Sequence, residues 1–382
     1  MGDRLRRSEP ENIQALTAKL RELIRTSRQF VVRSVNTVQV LTNFEIGRHI
    51  VEFEQQGKRR AEYGRNLLKK LSNDLTAEFG KGFSEANLKL MRQFYLLYHD
   101  RISQTLSDKL PVKQKNQTLS DLLRKSGTLS QISNTSGRTF DNSSVFTLSW
   151  SHYVFLMTVN NAKERSFYEI EATEQNWSLR ELKRQYNSGL YERLALSRDK
   201  DGINKLAKEG QTISRPEDML KEPYVLEFLG LEEKEKYSES DLETAIIDKL
   251  EHFLLELGKG FLFEARQKRL TFDEEHFFVD LVFYNRILRC YVLIDLKIGK
   301  LTHQDLGQMQ MYVNYFDRFV KMVEENSTVG IILCKQKNDA LVEITLPRDA
   351  NIHAKEYQLY LPDKEVLRQK LMDWTAEQEE GK

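Results

Sequence analysis

Three apolar segments separated by short polar turns constrain the fold of this chain more than any other feature of its sequence. They span residues 261–270, 276–284 and 288–297, and the turns contain DEE and NR. Apolar segments bounded by such turns are typical of antiparallel hairpins. A helical pattern precedes them, and a long helix and a buried strand follow, at about 240–257, 302–324 and 329–334. This order predicts an α/β core in the C-terminal half, a central mixed sheet flanked by helices.

Charged residues lie where the second and third of these strands should be buried. Asp295 and Lys297 are two residues apart, so in a strand both side chains point to the same side. Asp280 lies within the apolar run of the preceding strand, HFFVDLVFY. Because the hairpin between the two strands is short, we expect the carboxylates of Asp280 and Asp295 to converge. Two carboxylates at one place repel each other unless a positive charge lies between them.

A divalent cation would remove this repulsion. Mg²⁺, or Mn²⁺ in its place, is bound by oxygen ligands and keeps several of its waters. Lys297 beside the ion would orient or deprotonate a water whose pKa the ion lowers. We therefore predict a metal site that hydrolyses a phosphodiester, with Asp280 and Asp295 as ligands and Lys297 as a catalytic residue.

Two alternatives weigh against this prediction. An ordinary ion pair at a strand edge would explain Asp295 and Lys297 without a metal. It would not explain Asp280, because buried charges need a partner or a metal. A second acid-x-Lys triplet, Glu181 to Lys183, shows that the spacing also occurs by chance. That triplet lies in a helical segment, where residues two apart do not share a face, and we predict no site there.

Further polar residues flank the predicted site. Glu243 lies on the helix before the first strand and would complete the metal shell. As the third residue after Ser240, it also fits a capping box that begins this helix, and both interpretations stay open. Gln308 and Tyr312, four residues apart on the long helix, share a face and would contact the substrate or the attacking water. Their alternative is a polar helix surface with Tyr312 in the core.

Asp280 followed by Asp295-Leu-Lys297 resembles the PD-(D/E)XK nuclease superfamily, and Gln308-x-x-x-Tyr312 is similar to the Q-x-x-x-Y element of its RecB-like branch. Longer segments resemble the bacterial YhcG-type family, among them PYVLEFLGL, LELGKGFLFEARQKRL, DLGQMQMYVNYFDR and, near the N-terminus, EIGRHIVEFEQQGKRRAEYG. Two residues depart from the superfamily. Val279 stands where its name has Pro, and Asp295 stands where many members have Glu, although the pattern admits either acid.

The resemblance implies a restriction-endonuclease-like fold in the C-terminal half, an all-α N-terminal domain and a Mg²⁺-dependent nuclease with DNA as the expected substrate. In the mechanism that we expect, the backbone carbonyl of Leu296 is a further metal ligand, and Glu243, Gln308 and Tyr312 assist catalysis. The alternative is a catalytically silent subunit that binds nucleic acid or assembles a DNA-processing or defence system. Partners from a defence or restriction system are expected on the same ground. A homo-oligomer is left open, since nucleases that cut both strands often pair their subunits.

Composition divides the chain into four parts. We predict a helical domain at 12–99, a polar insertion or linker at 100–145, a helical continuation of the N-terminal domain at 146–222 and the nuclease-like domain at 223–375. The insertion is rich in Ser, Thr, Asn, Gln and Lys and poor in aromatic residues. It therefore cannot bury enough apolar surface to order itself firmly.

Two helices around FGKGF form a candidate helix-turn-helix. Gly80 and Gly82 end the first helix and Ser84 caps the second. The expected nucleic-acid contacts are basic and amide side chains on or near these helices: Arg59, Arg60, Arg65, Asn87, Lys89, Arg92 and Gln93. The alternatives are a helical bundle whose solvated face is basic, and a protein-interaction domain.

Charge and hydropathy bound the remaining classes. The formal net charge of +1 creates no overall field that attracts nucleic acid, so binding requires a local patch. No apolar run approaches the roughly 20 residues of a membrane span, and the first residues lack the apolar stretch of a signal peptide. Cys290 and Cys334 lie in apolar runs, which is typical of core thiols in a reducing compartment. We expect a soluble, cytoplasmic protein without a membrane partner.

Overall fold

The computed structural model describes residues 20–21, 35–55, 61–109, 146–198, 200–231, 237–272, 274–347 and 349–380. Within these ranges the side chains of 61–65, 101–109, 200 and 374–380 are not described. The chain divides into two compact units, residues 1–160 and 161–382. Each unit is described by itself.

The first unit is helical in its described residues. Its helices are α1 (residues 35–55), α2 (Ala61–Phe79), α3 (Glu85–Lys109) and α4 (Trp150–Leu156). Gly80 (φ 80°) and Gly82 (φ 119°) supply the left-handed backbone between α2 and α3. Ser84 Oγ accepts the backbone N–H of Asn87 at 3.3 Å. The predicted pair of helices around a glycine turn, with Ser84 as cap, is confirmed.

Aromatic side chains hold these helices together. The fully buried ring of Phe94 on α3 lies 6.1 Å from that of Phe44 on α1 and 5.1 Å from that of Tyr153 on α4. Helix α3 extends to Lys109 and so includes the first residues of the segment predicted as a polar insertion from 100 onward. The apolar residues of α3 keep their helical spacing in that segment. The polar composition of the segment made this spacing hard to recognise. Residues 110–145 lie outside the described residues.

The second unit combines helices with one sheet. Its described helices are α5 (Ala162–Glu174), α6 (Leu179–Asn187), α7 (Leu190–Ala195), α8 (Lys200–Glu209), α9 (Glu239–Asp248), α10 (Leu250–Leu257), α11 (His303–Phe319), α12 (Asp339–Thr345) and α13 (Lys364–Glu380). Its strands are β1 (Tyr224–Val225), β2 (Phe261–Phe272), β3 (Glu275–Asn285), β4 (Cys290–Lys300), β5 (Val329–Gln336) and β6 (Ile352–Gln358). The helix predicted at 240–257 breaks at Lys249, and the helix predicted at 302–324 ends at Phe319.

The six strands form a mixed sheet in the order β1-β6-β5-β4-β3-β2. β2, β3 and β4 are an antiparallel meander, whereas β5, β6 and β1 pair in parallel. Helices α9 and α10 cover one face through residues such as Leu242 and Phe253. Helix α11 covers the other through residues such as Met309 and Phe316. The predicted central mixed sheet flanked by helices is confirmed, and β1 and β6 are strands that the sequence pattern missed.

A buried ion cluster joins the helices before the sheet to its edge. Arg193 Nη1 donates to Glu256 Oε1 at 2.5 Å and to the carbonyl of Pro223 at 3.0 Å. Lys221 Nζ donates to the carbonyl of Glu256, and Glu256 Oε1 accepts the backbone N–H of Val225 at 3.0 Å. Helices α5 to α8 thus pack in the unit that contains the sheet. No local pattern in the sequence indicates a contact as distant as that of Arg193 with Glu256, and the four domain boundaries predicted from the sequence stay predictions.

Lys221 makes the stability of this cluster depend on pH. Burial lowers the pKa of Lys221 to about 8, and the charge of Glu256 offsets this only in part. In the unfolded chain the pKa is about 10.4, so between these values the unfolded state binds more protons and stability rises with pH. We expect the free energy of unfolding of the wild type to rise relative to that of Lys221→Met between about pH 8 and pH 10. Urea unfolding at each pH measures this, and a constant difference would contradict it.

In the ranges given above, no helix combines the length and the apolar character needed to cross a lipid bilayer.

Candidate active site

The predicted acidic pair lies where the pairing of β3 with β4 stops. The last paired residues are Leu281 and Ile294, so Asp280 and Asp295 are the next residues and lie opposite each other. Asp280 Oδ2 accepts the backbone N–H of Leu296 at 2.8 Å. This bond fixes the carboxylate of Asp280 against β4. The ends of the two paired strands thus bring Asp280 and Asp295 together, and their role as a site stays a prediction.

Asp295 is the buried member of the pair, with 2% of its surface exposed. Burial, and next the charge of Asp280, raise the pKa of Asp295 to about 7, although Lys297 opposes the shift. The ionised form of Asp295 is therefore unfavourable here, and the pair of carboxylates favours a nearby positive charge.

Lys297 supplies one such charge. Its Nζ lies 2.9 Å from Asp295 Oδ2, 3.7 Å from Glu239 Oε2 and 4.0 Å from Asp305 Oδ1. Burial alone would lower the pKa of Lys297, but the charges of Asp295 and Glu239 outweigh burial and raise the pKa above its usual value. Glu239 and Asp305 could not be predicted from the sequence, because they come from the first turns of α9 and α11 and have no fixed spacing from Lys297.

Glu243 does not cap its helix. The box at the start of α9 consists of Ser238 and Asp241, with Ser238 Oγ accepting the backbone N–H of Asp241 at 3.1 Å. The prediction that Ser240 and Glu243 form the box is wrong. Both serines have an acid three residues later, and the earlier one begins the helix. Glu243 is instead buried, with 3% of its surface exposed.

Gln267 on β2 links Glu243 to Asp280. Its Nε2 donates to Glu243 Oε2 and, at 3.1 Å, to Asp280 Oδ1. Gln267 lies opposite Asp280 in the β2–β3 register, and its φ of 46° is left-handed although it is not a glycine. Strained residues of this kind persist where their surroundings hold them. Gln267 could not be predicted from the sequence, since one polar residue in a strand at the sheet edge carries no signal of its own.

Gln308 and Tyr312 share a face of α11, as predicted. Gln308 Nε2 donates to the hydroxyl of Tyr312, which donates to the backbone carbonyl of Phe278 at 2.8 Å. Burial, and next the charge of Asp295, raise the pKa of Tyr312 to about 12. The Tyr312 hydroxyl therefore lies close enough to the acidic pair to feel its charge. Its hydrogen bonds fasten α11 to β3 two residues before Asp280.

The donor set suits a hard cation. Asp295 Oδ2 and Glu243 Oε1 are buried, and each lies 2.9 Å from a cationic nitrogen, of Lys297 and Arg266 respectively. Among the residues that the structure describes, no three Asp, Glu, His or Cys side chains lie close enough together to hold an ion. Mg²⁺ is usually held by one or two carboxylates and keeps several waters. Asp280 and Asp295 meet that requirement, whereas Glu243 is linked to Asp280 through the side-chain amide of Gln267.

The predicted nucleic-acid contacts of the first unit are described only in part. Arg59 and Arg60 lie outside the described residues, as does the side chain of Arg65. The side chain of Asn87 is hydrogen-bonded within the unit. Its Nδ2 donates to the carbonyl of Gly82, and its Oδ1 accepts the indole N–H of Trp150 at 3.3 Å.

The other three candidates lie on α3. Lys89 forms an ion pair with Glu85 at 2.7 Å, and Arg92 forms one with Glu54 at 2.7 Å. Gln93 is exposed. The helix-turn-helix and its nucleic-acid contacts stay predictions.

Comparison with known proteins matches two family models. The model described as the YhcG PDDEXK nuclease domain matches residues 217–372, and that of the DUF1016 N-terminal domain matches residues 19–193. A relative from Escherichia coli (strain K12), named "Putative nuclease YhcG", is 42% identical over 361 residues, which are 94% of this chain and 93% of the relative.

Two solved structures are similar over a smaller part. A repair endonuclease from Pyrococcus abyssi has 18% identity and a TM-score of 0.22, over 34% of this chain and 50% of the other. The EndoMS–dsDNA complex has 14% identity and a TM-score of 0.24, over 35% and 50%. The chain thus spans about half the length of either solved structure.

Proposed function

The chain belongs to the YhcG family of PD-(D/E)XK nucleases, and from that premise we propose that it hydrolyses phosphodiester bonds of DNA with Mg²⁺ or Mn²⁺ as cofactor. One observation carries the proposal: Asp280 and Asp295 meet at the end of two paired strands, with Lys297 Nζ 2.9 Å from Asp295. The two carboxylates would hold the ion, with the backbone carbonyl of Leu296 as a further ligand.

A bound divalent cation supplies charge stabilisation at the phosphate and a lower pKa for water. The residues of the chain do the positioning. Lys297, held between Asp295 and Glu239, would orient the attacking water and donate a hydrogen bond to it or to a phosphate oxygen. Asp280 is immobilised by the Leu296 N–H and by Gln267, so the ligand geometry is set before substrate binds.

Supporting residues complete the proposed mechanism. Glu243 would act through Gln267, as an acceptor that holds the amide in place. Gln308 and Tyr312 would fix the backbone of Phe278 beside the path of the substrate. Outer groups of this kind orient the ligands of a metal and tune its binding.

The direct test is a cleavage assay with the purified full chain. Linear, branched and single-stranded DNA and RNA are incubated with Mg²⁺, with Mn²⁺ or with EDTA. We expect cutting only with metal and faster cutting of DNA than of RNA. Failure to cut any substrate overturns the proposal, and tight binding without cutting would support a catalytically silent binding subunit instead.

Gln267 offers a prediction about the metal itself. Gln267→Ala removes the donor that positions Asp280, and loss of such outer partners typically weakens metal binding about 10- to 100-fold. We expect Mn²⁺ affinity, measured by titration calorimetry, to fall about tenfold. Gln310→Ala, which removes an amide bonded only to Asn314 among the described residues, is the control and should bind Mn²⁺ normally. Equal affinity in both variants would contradict the role of Gln267.

The remaining expectations join the proposal. The first unit would bring nucleic acid to the site, through the exposed Gln93 and through Lys89 and Arg92 once they leave their ion pairs. A cytoplasmic location, a homo-oligomer and partners from a defence or restriction system are part of the same proposal.

A further inference from the structure

Strands β2 and β3 extend past the sheet at the active site. Their pairing continues to Phe272 with Glu275, whereas the pairing of β3 with β4 ends at Leu281. Residues 268–272 and 275–279 therefore form a two-stranded ribbon, called here the β2–β3 ribbon. Asp280 lies at its root.

One face of the β2–β3 ribbon is packed. Leu270 and Val279 are buried in the core that α11 covers, with 2% and 0% of their surfaces exposed. The Tyr312 hydroxyl bonds the carbonyl of Phe278 at 2.8 Å and so fastens α11 to the ribbon. Helix α11 therefore holds the ribbon in position, and this also fixes the position of the opposite face of the ribbon.

The opposite face is exposed and carries cationic, polar and aromatic side chains. Its cross-strand neighbours are Arg269 with Phe278 and Thr271 with His276. Thr271 Oγ1 lies 3.1 Å from Arg269 Nε and 3.1 Å from His276 Nδ1, which places the three side chains together. These four residues are called the outer face.

Phe278 is the unusual member of the outer face. Its side chain is 46% exposed, although its backbone is held by Tyr312. Phe278 lies two residues from Asp280, which is roughly 7 Å along a β-strand. Neighbouring nucleotides of an extended single-stranded nucleic acid have a similar spacing. A phosphate at the acidic pair would therefore lie within about one nucleotide of Phe278 along the strand.

Arg269 adds charge complementarity. Its guanidinium donates to Thr271, and no carboxylate pairs with it in the part of the chain that the structure describes. Arginine binds phosphate, and exposed aromatic rings stack on bases. The outer face thus joins the two contacts by which proteins hold single-stranded nucleic acid.

We infer that the outer face of the β2–β3 ribbon binds an unpaired nucleotide next to the phosphate being cut, with Phe278 stacked on its base and Arg269 on a flanking phosphate. This inference rests on the proposed function. Inside a duplex both faces of a base are already stacked on neighbours, so Phe278 can engage only a base that has left the stack. The substrate class is therefore DNA that is single-stranded, frayed or branched beside the cut.

The experiment measures binding apart from cleavage. Lys297→Ala is the background, so that a fluorescein-labelled single-stranded DNA and its fully paired duplex stay intact in Mg²⁺. Adding Phe278→Ala should weaken single-strand binding about tenfold, the range that stacking on one base contributes. Phe278→Trp should retain binding, because the larger ring also stacks. Arg269→Ala should weaken binding and reduce its salt dependence by about one counterion.

Phe272→Ala is the matched control. Phe272 is on the same ribbon and is 42% exposed, but its ring stacks on Phe277, 5.2 Å away, away from the outer face. Equal binding by Phe278→Ala and its parent, or equal losses from Phe272→Ala and Phe278→Ala, would overturn the inference. The outcome is separate from that of the proposed function, since a chain that never cuts DNA would still show or lack the Phe278 effect.

Discussion

Replacing Asp295 with asparagine lowers metal-dependent cleavage by at least about 10³-fold, in our expectation, while the protein stays folded. The amide is isosteric with the carboxylate but lacks its charge, so its oxygen binds the ion far more weakly. A metal contributes several kcal/mol of transition-state stabilisation, and each 1.36 kcal/mol changes a rate tenfold. Initial rates of DNA cleavage at saturating Mg²⁺ measure the effect.

Stability should move in the opposite direction. In metal-free buffer the pKa of Asp295 is raised to about 7, so the folded state binds its proton more tightly than the unfolded state. Ionised Asp295 therefore destabilises the fold as pH rises through about 7. We expect Asp295→Asn to melt at a higher temperature than the wild type at pH 8 in EDTA. The rise in melting temperature that Mg²⁺ gives the wild type should be absent in the variant.

The chain provides its own control for this substitution. Glu181 has the same spacing from Lys183 as Asp295 has from Lys297, but it lies in α6 and forms a capping box with Ser178. Glu181→Gln should cleave DNA at the wild-type rate. Cleavage by Asp295→Asn within a few-fold of the wild type would remove Asp295 from the site, and equal losses in both variants would indicate general damage.

The contrast between these two triplets shows what sequence can predict. The short turns between the three apolar segments predicted the meander, and the two-residue period of a strand predicted the approach of Asp280 to Asp295 from local spacing. The helical pattern around Glu181 excluded that triplet for the same reason. Gln308 and Tyr312 were recoverable because a spacing of four residues on a helix is equally local.

Contacts without fixed spacing could not be predicted. Glu239 and Asp305 reach Lys297 from two helix starts, and Gln267 reaches Asp280 through an irregular, left-handed backbone position. The capping box was misplaced by two residues because two serines in SES both satisfied the pattern. Strand β1 is only two residues long, and its place beside β6 depends on the buried cluster around Glu256 rather than on its own composition.

That cluster gives the second large expected effect. Glu256→Ala should reduce the free energy of unfolding of the full chain by about 3–5 kcal/mol, the usual result of removing one member of a buried ion pair. The substitution leaves the guanidinium of Arg193 and the ammonium of Lys221 buried without the carboxylate. It also removes the acceptor for the backbone N–H of Val225 on β1. Urea unfolding measures the change.

An exposed pair provides the comparison. Glu365 contacts Arg368 at 2.5 Å, but its side chain is 77% exposed, so Glu365→Ala should cost at most about 1 kcal/mol. Glu256→Gln keeps an oxygen for the Val225 N–H and should fall between the two. If Glu256→Ala and Glu365→Ala proved equally mild, the cluster would not hold the helices before the sheet to its edge. Amide hydrogen exchange at Val225 tests the same cluster locally. Among the described contacts, Glu256 is the buried side chain that accepts the Val225 N–H. Faster exchange at Val225 in Glu256→Ala, but not in Glu365→Ala, would therefore show that the cluster holds β1 in the sheet.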